Sequence, residues 1–226
     1  MKLTLVYFDV PFWRAEVARL SLYIGKIDYE DRRITFDEFQ RVKANGKLDD
    51  DTLIPFHQFP CLIVDGVSIS QTGAIARFCG KLSGLYPQND DLLAAQIDQF
   101  IDLATDINVL VASTNKIQDK QGREQKRSEI FEQEISRKLS ILDKNILEEG
   151  NWILGKEVGL TIADIAIWRL VGWLSSGMLD GIPTSFLKSY QNTLNVCLSV
   201  DNHQKVVDWI SRTYPEGYSR GNFLVD

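Results

Sequence analysis

Apolar and polar residues alternate in two different rhythms along the chain, one before about residue 82 and another after it. Leu3 to Phe8 is a short β-rich run and predicts a strand. Arg14 to Ile24 has its apolar residues at 17, 18, 20, 22, 23 and 24, which is helical spacing, and Gly25 marks its end. Asp28 to Ile34 is polar at its start but reads as a second strand, completing a βαβ unit. Thr35 to His57 is the least regular stretch. Phe36 to Lys43 predicts a short helix there, Ala44-Asn45-Gly46-Lys47 breaks it, and Asp49-Asp50-Asp51 reads as a solvated acidic loop. Cys61 to Val64 and Val67 to Ile69 then flank Asp65-Gly66, the strongest two-residue hairpin signal. Gln71-Thr72 opens a further segment with Ile75, Phe78 and Cys79 at helical spacing.

Ser83 to Asp90 is the clearest linker, and beyond it no strand pattern recurs. Leu92 to Ile117 and Glu124 to Leu147 have helical periodicity, with Gly150 ending the second. Thr161-Ile162-Ala163-Asp164 is a capping-box start, because the carboxylate three residues on reaches back to the cap. The helix it opens, through Leu174, is apolar nearly all round and is expected to be a buried axis. Helices over 185–200 and 203–212 follow, and the tail from Tyr214 either covers a site or is mobile. The expectation is an α/β thioredoxin-like N-terminal domain (residues 1–82), a linker (83–91) and an all-α C-terminal domain (92–226).

The chain has 226 residues, of which 44% are hydrophobic and 25% charged, as in a soluble globular protein. Net charge is −6, and residues 1–83 hold 11 groups of each sign, so the excess acid lies further on. With no long basic run, nucleic-acid binding through a charged surface is not expected. No stretch reaches transmembrane length, so no membrane role is expected. Cys61, Cys79 and Cys197 are odd in number and widely spaced, which argues for a reducing, cytoplasmic setting and against a dithiol active site. His57 and His203 are far apart and read as loop or surface residues, so no metal is expected.

Pro60 stands at the start of a strand that must be interior, where it removes a ladder donor. It is tolerated if the Phe59-Pro60 bond is cis and makes a turn. That geometry leaves the Phe59 N–H and C=O facing outward, beside the N-terminus of the helix that follows Gln71. An extended peptide with a free carboxylate suits such a place: main-chain pairing on one side, anion capture on the other. The run Phe59-Pro60-Cys61-Leu62-Ile63-Val64-Asp65-Gly66, followed by Gln71-Thr72-Gly73-Ala74-Ile75-Ala76-Arg77, resembles the glutathione transferase family, in particular its tyrosine-type, sigma-like members. Leu3-Thr4-Leu5-Val6-Tyr7-Phe8-Asp9 with Arg14-Ala15-Glu16 resembles the same family's first strand and helix, and the Leu160 to Ala166 segment resembles a further family feature.

That resemblance implies glutathione as cosubstrate, with no metal, and a cytoplasmic homodimer active in detoxification. It implies that Tyr7 donates a hydrogen bond to the glutathione sulfur and that Arg14 adjusts the thiol's electrostatics. Gln71 and Thr72 would hold the γ-glutamyl carboxylate, Phe59 before Pro60 would pair with the cysteinyl main chain, and Lys43 and Gln58 would reach the glycyl carboxylate. Phe39 stands where the family usually has Trp, and Asp98 matches an acidic residue that reaches the glutamyl amine across a dimer. An apolar electrophile would sit against Val10, Phe12 and Trp13 on one side and the first helix of the all-α domain on the other. From the residues alone, Phe12 and Trp13 serve either that pocket or a hydrophobic staple on their own core. Three differences from the family stand out: one extra residue between Tyr7 and Arg14 (with Pro11-Phe12-Trp13 in place of Arg-Gly), a longer stretch between Lys43 and Pro60, and Thr72 for serine. The function implied is attack of the glutathione thiolate on an apolar electrophile, or a glutathione-dependent isomerisation. The alternative is a non-catalytic relative, a ligand carrier or structural protein; a dithiol reductase lacks its cysteine near residues 9–13.

Overall fold

The computed structural model describes residues 1–147 and 151–223, so the expected helix end at Gly150 lies outside the described residues. The chain divides into two compact units, Met1–Asp91 and Leu92–Asp226.

The first unit is built on a four-stranded sheet of order β2-β1-β3-β4, from β1 (Leu3–Phe8), β2 (Glu30–Ile34), β3 (Cys61–Val64) and β4 (Val67–Ser70). β1 runs parallel to β2 and antiparallel to β3, and β3 antiparallel to β4. The second strand starts two residues later than the pattern predicts, because Asp28 and Tyr29 precede the ladder. Helix α1 (Trp13–Ile24) and helix α3 (Thr72–Ser83) bury Ala18, Leu22, Ile75 and Cys79 with Leu3, Leu5 and Leu62 of the sheet. A second cluster joins Val6, Ile34 and Cys61 of the sheet to Val42 of helix α2 (Phe36–Asn45) and to Leu48 and Ile54 of the loop after it. Helix α2 begins at a complete capping box, Thr35 with Glu38, and ends at Gly46, whose φ of 74° is left-handed.

The acidic run Asp49-Asp50-Asp51 is not the free solvated loop the sequence suggests. Asp49 pairs with Arg41 at 2.9 Å, Asp50 with Arg32 at 2.6 Å and Asp51 with Lys47 at 3.3 Å. The loop doubles back through a bridge between Lys47 and Leu53, and His57 closes over Gly46 with its Nδ1 3.3 Å from the Lys43 carbonyl.

Among its described residues the second unit has helices and no strand: α4 (Asp91–Ser113), α5 (Lys120–Ile130), α6 (Ser136–Asn145), α7 (Ile162–Ser175), α8 (Gln191–Asp201) and α9 (Gln204–Thr213). One turn of π-helix, Phe131–Ile135, joins α5 to α6, and Phe186–Ser189 is a 3₁₀ turn. The first predicted helix ends at Ser113 rather than Ile117, where Thr114–Lys116 tightens into 3₁₀ geometry. Helix α7 is buried along almost its whole length, as its all-round apolar sequence predicts. Arg169 in it is fully buried, stacks on Trp168, Tyr214 and Tyr218, and donates to the Arg220 carbonyl at 2.8 Å. Residues 214–223 therefore lie against α7, held also by the Arg220–Asp201 pair. Among the described residues no helix is long and apolar enough to cross a membrane.

Candidate active site

Strand register gathers the site. β1 pairs with β3 as far as Val6–Cys61, and β3 with β4 as far as Cys61–Ser70. One residue beyond the last rungs, Tyr7, Pro60 and Gln71 therefore meet at one end of the sheet. The three segments that the resemblance implied come together for this reason, although 64 positions separate Tyr7 from Gln71.

Phe59-Pro60 is a cis peptide bond. Phe59 contributes neither its N–H nor its C=O to any hydrogen bond among the described residues. Its side chain is buried and packs on Phe39 of α2 at 6.2 Å and on Phe8 at 6.4 Å between ring centroids. Phe8 in turn meets Phe39 edge-on at 5.3 Å and Tyr7 at 5.4 Å. Phe39 thus sits in an aromatic cluster next to Tyr7 and Phe59.

Gln71 is the N-cap of α3 and has φ 78° and ψ 124°, a left-handed conformation that costs a non-glycine residue on the order of 1–3 kcal/mol. It caps the helix without a side-chain hydrogen bond. The first-turn N–H groups of α3, beginning with Thr72, therefore have no side-chain cap, which is the arrangement that binds anions. Thr72 is buried, while the Gln71 side chain is exposed. Lys43 and Gln58 are both exposed, and the His57–Lys43 contact ties their segments together.

Tyr7 is 6% exposed. Its hydroxyl has no hydrogen-bond partner among the described residues, and it is not among the polar atoms sealed from solvent. Burial pushes the phenol up to about 12, while the Arg14 and Arg19 guanidinium groups act in the opposite direction. Near neutral pH Tyr7 is therefore an un-ionised hydroxyl, able to donate but not to act as a base.

The turn after β1 differs from the sequence-based expectation at Trp13 and at the start of α1. Trp13 is completely buried as the first residue of α1, so of the three residues expected to line an apolar pocket it presents no surface. Val10 is 43% exposed and Phe12, the N-cap, is half-buried. Pro11 precedes the cap, and α1 begins at Trp13, one residue before the expected Arg14. Asp98 lies on α4 in the second unit and is half-buried.

Arg19 has no counterpart among the expected site residues. It is 1% exposed and lies beneath the Tyr7 ring, its guanidinium carbon 5.8 Å from the centroid. The available signal was a charged residue between apolar neighbours, Ala18 and Leu20, with an opposite charge, Glu16, one turn back on the same helix.

Residues 3–80 match the family model described as glutathione S-transferase, N-terminal domain, and residues 105–213 match glutathione S-transferase, C-terminal domain. The chain belongs to the glutathione S-transferase family, whose members are transferases that use glutathione. It is 30% identical over 174 residues to glutathione S-transferase 2 of Manduca sexta, covering 76% of this chain and 79% of that one. It is 32% identical over 154 residues to hematopoietic prostaglandin D synthase of Gallus gallus, covering 68% and 71%. Among solved structures, prostaglandin synthase D of Nilaparvata lugens superposes with a TM-score of 0.78 at 21% identity, covering 95% of this chain and 99% of that one. Monomeric Na-GST-3 of Necator americanus gives 0.72 at 23% identity, covering 96% and 98%.

Proposed function

We propose that Tyr7 donates a hydrogen bond to the sulfur of bound glutathione and so holds it as the thiolate that attacks an apolar electrophile. The observation that carries this reading is a near-buried phenol, neutral at pH 7, whose hydroxyl is open to solvent and uncommitted within the chain. A free thiol with a pKa of about 8.5 is only a few per cent ionised at pH 7. A hydrogen bond to the charged sulfur is worth about 1.5–3 kcal/mol, which lowers the thiol pKa by roughly one to two units. That shift makes the thiolate the main form near neutral pH without ionising the donor.

The remaining contacts follow the same logic. The Phe59 main chain pairs with the cysteinyl unit, and the first turn of α3 at Gln71 and Thr72 receives the γ-glutamyl carboxylate. Lys43 and Gln58 face the glycyl carboxylate, Arg14 supports the sulfur electrostatically, and Val10 and Phe12 contact the electrophile. A homodimer in which Asp98 reaches the partner's glutamyl amine, a cytoplasmic location and a detoxification role belong to the same reading. Sedimentation at twice the 25.7 kDa chain mass supports the dimer, and a purely monomeric species removes the role of Asp98. Likeness to prostaglandin D synthases supports a second use of the same thiolate, a glutathione-dependent isomerisation.

The test is conjugation of a generic electrophile by wild type and Tyr7→Phe, with binding to immobilised glutathione measured in parallel. Binding should survive in the variant while kcat/KM at pH 7 falls about 10- to 100-fold, matching one to two units of thiol activation. A fall below about twofold would rule Tyr7 out as the donor. Binding without turnover in either form would make the protein a carrier.

A further inference from the structure

We propose that Arg19 is the positioning residue for Tyr7, fixing the turn after β1 and the floor under the phenol ring so that the hydroxyl is aimed at the sulfur. This inference rests on the reading of Tyr7 as hydrogen-bond donor.

Arg19 is as buried as any apolar residue of α1, and each part of its guanidinium is engaged. Its Nη2 donates to the Phe8 carbonyl at 3.1 Å and its Nη1 to the Val10 carbonyl at 2.8 Å. These two carbonyls bracket Asp9, so one planar group clamps both sides of the turn that leaves Tyr7. The Nε faces Asp31 on β2 at 3.1 Å, and Nη1 lies 3.4 Å from Glu16 on α1 itself. Arg33 extends the network, contacting Asp31 at 2.6 Å and Asp9 at 2.7 Å. A buried charge is tolerated only when paired and hydrogen-bonded, and here the pairing spans β1, its turn, α1 and β2.

The need for such a clamp follows from the sequence. The turn from Asp9 to Phe12 holds an extra residue, and regular helix hydrogen bonds begin only at the Phe12 carbonyl. Asp9 and Val10 are exposed, so packing alone does not fix them. The guanidinium spreads its donors over three nitrogens of one rigid plane, a geometry that a lysine ammonium, with its three donors on a single rotatable nitrogen, does not reproduce. A displacement of about 1 Å at a reacting group can cost on the order of a hundredfold in rate.

The experiment is the pH profile of kcat/KM, with kcat and KM for glutathione separated, for wild type, Arg19→Lys, Arg19→Gln and Tyr7→Phe. The charged and titratable groups facing this turn are Arg14 and Glu16 on α1, Asp31 and Arg33 on β2, Tyr29 just before β2, Asp9, and Cys61 on β3. Of these, Tyr29 and Cys61 are pushed up by burial. His57 lies in the loop before β3 and is unchanged among the variants. The acid limb is thus read as the titration of the bound thiol. In Arg19→Lys the limb should move up by about half to one unit and kcat should fall at least about fivefold, with KM for glutathione within about threefold. Arg19→Gln should shift it further. If the Arg19 variants melt lower yet their profiles superpose on wild type, Arg19 is merely structural and the proposal fails. If Tyr7→Phe also leaves the limb in place, the donor reading of Tyr7 fails instead. Should the Arg19 variants not fold, Asp31→Asn loosens the clamp from its far side. A smaller upward shift there upholds the proposal, and an unmoved limb overturns it.

Discussion

Replacing Asp164 by alanine removes the acceptor for three donors at the start of α7. Oδ1 of Asp164 accepts from the Ile153 N–H at 2.8 Å, and Oδ2 accepts from the Thr161 N–H at 2.8 Å and the Thr161 hydroxyl at 2.7 Å. The carboxylate is completely buried, as is Ile153, so no water can replace the lost partner there. Each such bond to a charged group contributes about 1.5–3 kcal/mol. Against this stands the cost of the buried charge, which pushes Asp164 up to about 6 in spite of its three donors. That displacement of about two units corresponds to roughly 3 kcal/mol recovered on removal. The net loss is then about 1.5–6 kcal/mol, and in a chain of this size each kcal/mol lowers Tm by about 2–4 °C. Thermal denaturation followed by circular dichroism should show Asp164→Ala melting at least about 3 °C, and up to about 24 °C, below wild type. The pH dependence carries a definite sign. The folded-state pKa lies above the unfolded value of 3.8, so the folded chain binds the proton more tightly between pH 4 and 6. Stability of wild type relative to Asp164→Asn should therefore decline across that window and level off above it. A Tm change under about 2 °C in the alanine variant, or a relative stability that rises from pH 4 to 6, would refute the reasoning.

Two further outcomes follow from single positions. A Cβ at Gly172 would lie 2.1 Å from the Arg220 carbonyl and 2.9 Å from Arg169 Nη1. Gly172→Ala should displace residues 214–223 from α7, seen as faster proteolytic nicking of the tail and a lower Tm; an unchanged nicking rate would contradict the packing described. Difference absorbance between wild type and Tyr7→Phe should show the Tyr7 phenol ionising near pH 12 rather than 10, since burial outweighs Arg14 and Arg19. Ionisation at or below pH 10 would mean that the phenol is far more solvated than the structure shows.

Much of the N-terminal unit was legible because local chemistry and global placement agree there. β1 follows its β-rich run residue for residue, and Asp65-Gly66 fixes the hairpin that sets β3 against β4. The capping signal at Thr161–Asp164 was equally readable and forms a complete box. Three features were not legible, for physical reasons. Periodicity counts apolar residues, so it passes over Arg19 and Arg169, each fully buried because distant carbonyls and aromatics satisfy its charge. A run of aspartates looks the same whether solvated or paired, and the partners Arg32 and Arg41 come from other elements. Side-chain direction in an irregular turn follows no period, which is why Trp13 and Phe12 could be told apart only by burial. Of the site, the motif segments were visible in the sequence, whereas the network beneath Tyr7 was visible only in three dimensions.

The fate of the three consecutive aspartates bears on how an anionic tripeptide would approach this unit. Left bare, three negative charges on the loop that runs from Lys43 to Gln58 would repel a ligand of the same sign and make its capture sensitive to ionic strength. Each is instead neutralised within about 3 Å by a guanidinium or ammonium group. At a distance their field collapses to that of small dipoles, which fade well inside a Debye length of about 8–10 Å. Encounter with glutathione should then depend only weakly on salt, leaving recognition to the short-range geometry at the end of the sheet.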